Sequence, residues 1–220
     1  MPYRRTERVL ERLAGRREDI LRASRDIAAE QGLGAVQIVP VAERAGIAAG
    51  TVYRYFPTKA DLVEALLKTI AEEEIAALRS SATAAPGPLS ALAAAIVTFL
   101  MRTMRRPGLL AAVLTVPAER ELDGLRLVWR RALVAEFEIA VRAALAAGHL
   151  PEQEAKLAAA AIFGILAECA ARPPAENPAD PAQRRSLAQA AALLALRALG
   201  VADARARGLV VQAPWLVETG

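Results

Sequence analysis

A single cysteine, Cys169, excludes an internal disulfide and a cysteine-based metal site. A single histidine, His149, stands between Gly148 and Leu150 with no partner arranged beside it for general-base work. Neither His-Glu-x-x-His nor Gly-x-Ser-x-Gly occurs. Gly46 to Thr51 lacks the lysine of a phosphate loop and comes after a helical stretch rather than a strand. No run approaches the roughly 20 apolar residues of a membrane span. The start, MPYRRTERVLERL, carries charge throughout and has no apolar signal core. The expectation is a cytoplasmic protein that is not an enzyme and takes no cofactor. Aromatic residues are 4% of a chain that is 55% hydrophobic, so alanine supplies much of the apolar content. That composition favours an all-α fold.

The formal net charge is +4, and its distribution is uneven. Residues 1–17 hold six arginines (Arg4, Arg5, Arg8, Arg12, Arg16, Arg17) and two glutamates, while the other 203 residues balance at 22 basic to 22 acidic. Residues 1–15 therefore read as a basic arm. Its partner could be nucleic acid, an acidic membrane surface, or nothing beyond water.

The residues beyond the arm narrow those choices. Residues 16–31 carry Ile20, Ser24, Ile27 and Ala28 on one helical face, and Gly32 and Gly34 stop the helix. A second helix over 37–45 turns Ile38, Val41, Ala42 and Ala45 inward, with Pro40 in its first turn, where a missing N–H costs little. Gly46 stands where a tight turn between helices needs positive φ. A short helix over 49–55 then carries Thr51, Tyr53, Arg54 and Tyr55, and Phe56-Pro57 closes it. From Arg44 to Lys59 there are three positive side chains and no acidic one. This is a helix-turn-helix over 16–58, its last helix the candidate for a major groove.

Residues 59–80 read as a connecting helix, and SSATAAPGP, ending at Pro88, as the domain boundary. Residues 88–200 are helical in pattern: one helix over 89–105, a short piece over 109–115, and a long helix over about 119–147. In the last, Trp129, Leu133, Phe137 and Val141 recur at steps of four. Two final helices, about 152–171 and 183–199, are apolar nearly all round. Glu168 is the one charge between Leu157 and Ala171, and Arg197 the one between Ser186 and Leu199. A helix apolar on every side needs cover on every side. Either the cover is intramolecular, or these helices join a second copy in a four-helix bundle. The second is the expectation. From Val201 periodicity is lost, leaving 201–220 as a tail with Pro214-Trp215 folded back on the surface.

Residues 16–67 resemble the TetR family of bacterial transcriptional regulators. The resemblance rests on Ala45-Gly46, Gly50-Thr51, Tyr53-Arg54-Tyr55-Phe56, Lys59 and Leu62, in that order and spacing. It implies a homodimer that binds double-stranded DNA through a palindromic operator and is released as a repressor by a small-molecule ligand. By position, Ala49, Gly50 and Arg54 would lie near base edges, and Thr51, Tyr53, Tyr55 and Lys59 on phosphates. Gln37 stands where the family has a phosphate-touching threonine, and Ala48 where it has a capping serine. Because Ala49 and Gly50 offer little to a base, readout leans on Arg54, Arg44 and the arm with Arg4 and Arg5. Arg44 also has a plainer reading, an ion pair with Glu43 or Asp61. The resemblance further implies a ligand pocket in the C-terminal helices. Phe99, Met101, Met104, Trp129, Leu133, Phe137 and Phe163 are the candidate lining residues, with ordinary core packing as the alternative for each, and an apolar ligand is expected. A competing function is a helical protein-interaction module with a vestigial helix-turn-helix.

Overall fold

The computed structural model describes residues 3–105, 123–171 and 180–213 and is helical wherever it is regular. The elements are α1 (Tyr3–Gln31), a 3-10 turn (Leu33–Ala35), α2 (Ile38–Arg44), α3 (Ala49–Tyr55), α4 (Lys59–Thr83), α5 (Pro88–Arg105), α6 (Asp123–Ala146), α7 (Ala155–Ala170), α8 (Pro181–Ala198) and α9 (Asp203–Gln212). The expected piece over 109–115, residues 172–179 of the proline-rich stretch expected as a loop over 172–183, and the fold-back of Pro214-Trp215 lie outside the described residues, whereas 181–183 are the start of α8.

The chain forms two compact units, Met1–Thr69 and Ile70–Gly220. The division falls inside α4, not in the proline-containing turn at 84–87, because α4 runs unbroken from one unit into the other. In the first unit, Ile20, Leu21, Ile27, Val36, Val41, Val52, Phe56, Leu62 and Leu66 are buried. They come from α1 to α4 at the spacings an amphipathic helix requires. Gly46 has φ +66°, and its N–H reaches the Glu43 carbonyl at 3.1 Å. A residue with Cβ is strained in that conformation, which explains glycine at the turn.

In the second unit α5 is the central helix, packed against α6, α7, α8 and α9. Every position from Leu92 to Met101 is buried. Pro88 opens α5 and Arg102 and Arg105 close it, an order that suits the missing proline N–H and the negative end of the helix dipole. Side-chain caps start α7 and α8: Glu154 accepts from the Lys156 and Leu157 amides, and Asp180 from the Ala182 amide. Gly200, at φ +86°, leads into α9, and a Cβ there would come within 2.6 Å of the Pro151 ring.

Two boundaries differ from those expected of the sequence. The first helix begins at Tyr3 rather than near residue 16, so the basic arm is helical. Arg, Glu, Leu and Ala, which fill most of residues 4–14, are all good helix formers, a signal that the charge pattern masks. Residues 203–212, expected to be irregular, form α9, on which Ala206 and Val210 are buried.

Candidate nucleic-acid interface

The recognition segment is held from beneath. Val52 of α3 is fully buried, and Phe56, its C-cap, is nearly so. The Arg17 guanidinium lies 5.3 Å from the centre of the Phe56 ring, tying α1 to the end of α3. The start of α3 has no side-chain cap, as alanine at 48 requires. Instead the Thr51 amide donates to the Ala48 carbonyl at 2.8 Å. At the start of α4, Thr58 and Asp61 form a capping box. The Thr58 amide and hydroxyl donate to Asp61 Oδ2 at 2.9 and 2.8 Å, and the Asp61 amide donates to the Thr58 hydroxyl at 3.1 Å. Thr-x-x-Asp is the signal in the sequence that marks this start, and the motif-based reading of the segment does not use it. Lys59 is thus presented at the first residue of a fixed helix, half-buried.

Most of the candidate DNA-contacting residues share this short segment. Tyr53 is 52% exposed, Arg54 and Gly50 are exposed, and Ala49, Thr51 and Tyr55 are half-buried. No acidic residue occurs in α3. Gln37 is exposed at the N-cap of α2, and its amide nitrogen donates to the Gly34 carbonyl at 3.1 Å.

Arg44 differs. Its Nη1 and Nη2 donate to Glu30 Oε1 and Oε2 at 2.9 and 2.8 Å, joining the end of α2 to the end of α1. Neither Glu43 nor Asp61 is its partner. Hydrogen bonding and charge from Arg44 hold the Glu30 carboxyl below its ordinary value of 4.5, and Glu30 raises Arg44 in turn. Arg54, by contrast, is exposed on α3. Arg4 and Arg5 fall in the first turn of α1, and their side chains lie outside the described ones.

In the second unit the three phenylalanine candidates meet one another. Phe99 lies edge-on to Phe137 and Phe163 at centroid distances of 6.0 and 6.1 Å, and Phe137 and Phe163 are 6.4 Å apart. All three are fully buried, with Leu133, and Met101 and Met104 nearly so. Trp129 is half-buried with its indole N–H unpaired. A cleft of about 350 Å³ opens beside Phe137, between the end of α4, the start of α5 and α6. Leu78, Ala82, Ala91, Ala95 and Ala140 line it, and the Arg79–Glu136 ion pair borders it. Of the seven candidates only Phe137 reaches this cleft.

One face of α7 and one of α8 are exposed within the chain. On α7 it runs through Leu157, Ala160, Ala161, Gly164 and Glu168, and on α8 through Gln183, Ser186, Ala190, Leu194 and Arg197. Leu157 is 69% exposed and Leu194 56%.

Two short helices meeting at a glycine turn, the second presenting hydroxyls and an arginine, form a helix-turn-helix. Residues 20–66 match the model of the bacterial regulatory proteins of the tetR family. The chain is 41% identical over 100 residues to the HTH-type transcriptional repressor KstR of Mycolicibacterium smegmatis, a match covering 46% of this chain and 48% of the repressor. The chain thus spans about half the length of the curated relatives it matches. Among solved structures, the fatty acid degradation regulator FadR from Bacillus halodurans superposes with TM-score 0.70 at 21% identity, covering 81% of this chain and 97% of that one. RolR in complex with resorcinol gives 0.65 at 22% identity, covering 94% and 100%. At such identities these two likenesses concern the fold. Among the described residues no helix is long and apolar enough to cross a membrane.

Proposed function

We propose that the protein is a dimeric transcriptional repressor that holds a palindromic operator through α3 and leaves it when a small apolar ligand occupies the second unit. The observation that carries this reading is the surface of α3: Thr51, Tyr53, Arg54 and Tyr55 on a two-turn helix without an acidic group, fixed by Phe56 below and the Thr58–Asp61 box beyond. Hydroxyls and Lys59 position the duplex, and Arg54 reads a base pair in its groove. The identity to KstR falls on 100 residues and supports a repressor role. The exposed leucines of α7 and α8, Leu157 and Leu194, support pairing with a second copy, since leucines so exposed gain from burial of roughly 25 cal/mol per Å².

For the ligand, the supporting feature is the alanine-floored cleft beside Phe137, of about 350 Å³. Its volume suits a small molecule. Resorcinol in RolR and stearoyl-CoA in FadR from Bacillus subtilis show that other proteins with this fold take small ligands of differing polarity.

Selection of bound fragments from the source genome, with gel retardation of each, tests the proposal. An inverted repeat retarded by two chains per site is the expected result. Failure to retard any duplex above random sequence, with a stable complex to another protein instead, would replace it with the interaction-module reading.

A further inference from the structure

The cleft of about 350 Å³ beside Phe137 lies wholly within the second unit, between the end of α4, the start of α5 and α6. Its floor is apolar, with Leu78, Ala95, Phe137 and Ala140 buried there. Ile139, also on its wall, is 63% exposed, so the apolar surface continues to the outside. Of the described residues that line the cleft, two carry charge, Arg79 and Glu136. Their access to water is unequal: the Glu136 side chain is 12% exposed and the Arg79 side chain 65%. Both carboxylate oxygens of Glu136 accept from Arg79, from Nε at 2.9 Å and from Nη2 at 2.6 Å. The cleft thus has at its edge a carboxylate largely withdrawn from water, neutralised by a cation that is not.

We infer that this cleft takes an apolar amine, whose ammonium pairs with Glu136 in place of Arg79. The inference rests on the proposed ligand-responsive function and names the chemistry of the ligand. An anion that drew Arg79 to itself would leave Glu136 without its counter-charge in a site with little water, the costly half of a broken pair. A neutral apolar molecule would fill the cleft and cover the carboxylate further, with nothing added to offset its desolvation. An ammonium gives the carboxylate a new partner. The guanidinium, already mostly in water, gives up a pair of the kind that contributes little at a surface. The hydrocarbon part of the ligand then covers Leu78, Phe137 and the alanines, and that burial is the net gain of the exchange. Short side chains at Ala82, Ala91, Ala95 and Ala140 leave the space for it. Exchange also unties α4 from α6, and α4 is the unbroken helix that begins at Lys59.

Isothermal titration calorimetry of the full chain compares octylamine, octanol and octanoate, which share a hydrocarbon chain and differ at the polar end. Octylamine is expected to bind roughly tenfold more tightly than octanol, the worth of a hydrogen bond to a charged group, with octanoate weakest. Glu136→Gln keeps the shape of the side chain and should abolish the difference between amine and alcohol. Arg79→Met removes the competing cation and should tighten octylamine by up to about fivefold, the worth of an exposed ion pair, with octanol unchanged. An arginine that merely holds the site together would give the opposite result, a weaker amine complex in Arg79→Met, and that overturns the inference. An amine preference that survives in Glu136→Gln overturns it as well, as does octanoate binding tightest. Octylamine that binds as expected but leaves the operator complex intact supports the site and overturns its part in release. Calorimetry needs no duplex, so a chain that shows the amine preference and retards no DNA loses the regulator function and keeps the site.

Discussion

Glu74 of α4 accepts both Nε and Nη2 of Arg102 near the end of α5, at 2.7 and 2.8 Å, and is only 7% exposed. The two residues are 28 positions apart in the chain and on different helices. The pair fixes the second half of α4 to the central helix of its unit, and a second bidentate pair, Arg79 with Glu136, fixes it to α6. Hydrogen bonding to Glu74 raises the Arg102 pKa above its usual value, so the guanidinium stays charged.

Arg102→Ala is therefore expected to cost more than removal of both partners. It leaves a nearly buried carboxylate without its counter-charge, a change worth about 3–5 kcal/mol for a fully buried pair and less here because Arg102 keeps some access to water. The double change Glu74→Leu with Arg102→Met should recover most of the loss. Denaturant unfolding of the wild type, Arg102→Ala and the double variant checks it. A double variant no more stable than Arg102→Ala would show that the pair is not the reason for the cost.

At the reading head, Arg54→Ala should lower operator affinity by about 1–3 kcal/mol, the worth of one bidentate base contact, while random DNA is bound much as before. Lys59→Ala should weaken both alike, because a phosphate contact carries no sequence information. Competitive titrations with operator and random duplexes measure the two ratios. If neither substitution alters binding, α3 is not the recognition helix.

The head is legible in the sequence because its determinants are local. Gly46, Thr51, Phe56 and Leu62 lie within seventeen residues and act through one turn and one small core. The features that sequence reasoning misses depend on partners distant in the chain or on a weak pattern. The sequence reading pairs Arg44 with Glu43 or Asp61, whereas its partner Glu30 stands at the end of the previous helix and only the packing of α1 on α2 brings the two together. Asp61 is already engaged by Thr58. α9 is hidden because Gly208 and four charged or polar side chains interrupt a helix whose inward face is little more than Ala206 and Val210. The aromatic candidates for a pocket are recognisable as large and apolar. Only the fold shows that Phe99, Phe137 and Phe163 spend their faces on one another.

The Glu30–Arg44 pair makes a pH prediction. The Glu30 pKa is lowered in the folded chain, chiefly by hydrogen bonds from Arg44. A lowered carboxyl pKa means stability that is present above the ordinary value of 4.5 and lost as pH falls through the folded value. Glu30→Gln should then reduce the melting temperature slightly at neutral pH and not at all in strong acid, where the wild-type carboxyl is also neutral. Both groups are exposed, so the effect is small. A difference that persists in acid would mean that Glu30 acts through packing.

Gly164 sits in the middle of the exposed face of α7, and among the described residues nothing beyond its own stretch of helix lies within 4 Å of a Cβ placed there. Gly164→Leu should leave the helical content of the monomer intact while preventing close approach of a second copy. Sedimentation equilibrium should show about half the wild-type mass at low concentration, with unchanged circular dichroism and weaker operator binding. An unaltered mass would place the dimer contact elsewhere.

Thr98 offers the reverse of these losses. It is buried in the middle of α5, and its hydroxyl has no hydrogen-bond partner among the described residues. Thr103, five residues on, donates to the Phe99 carbonyl at 2.8 Å, as a threonine in a helix is free to do. A buried hydroxyl without a partner carries a desolvation cost of about 1–3 kcal/mol, and an apolar group of the same shape removes it. Thr98→Val should accordingly stabilise the chain by about 1 kcal/mol or more, whereas Thr103→Val should destabilise it or leave it unchanged. Chemical denaturation of the two variants decides the matter. If Thr98→Val instead destabilises the protein, the hydroxyl has a partner in solution, and ligand titration of that variant would show whether the partner belongs to the pocket.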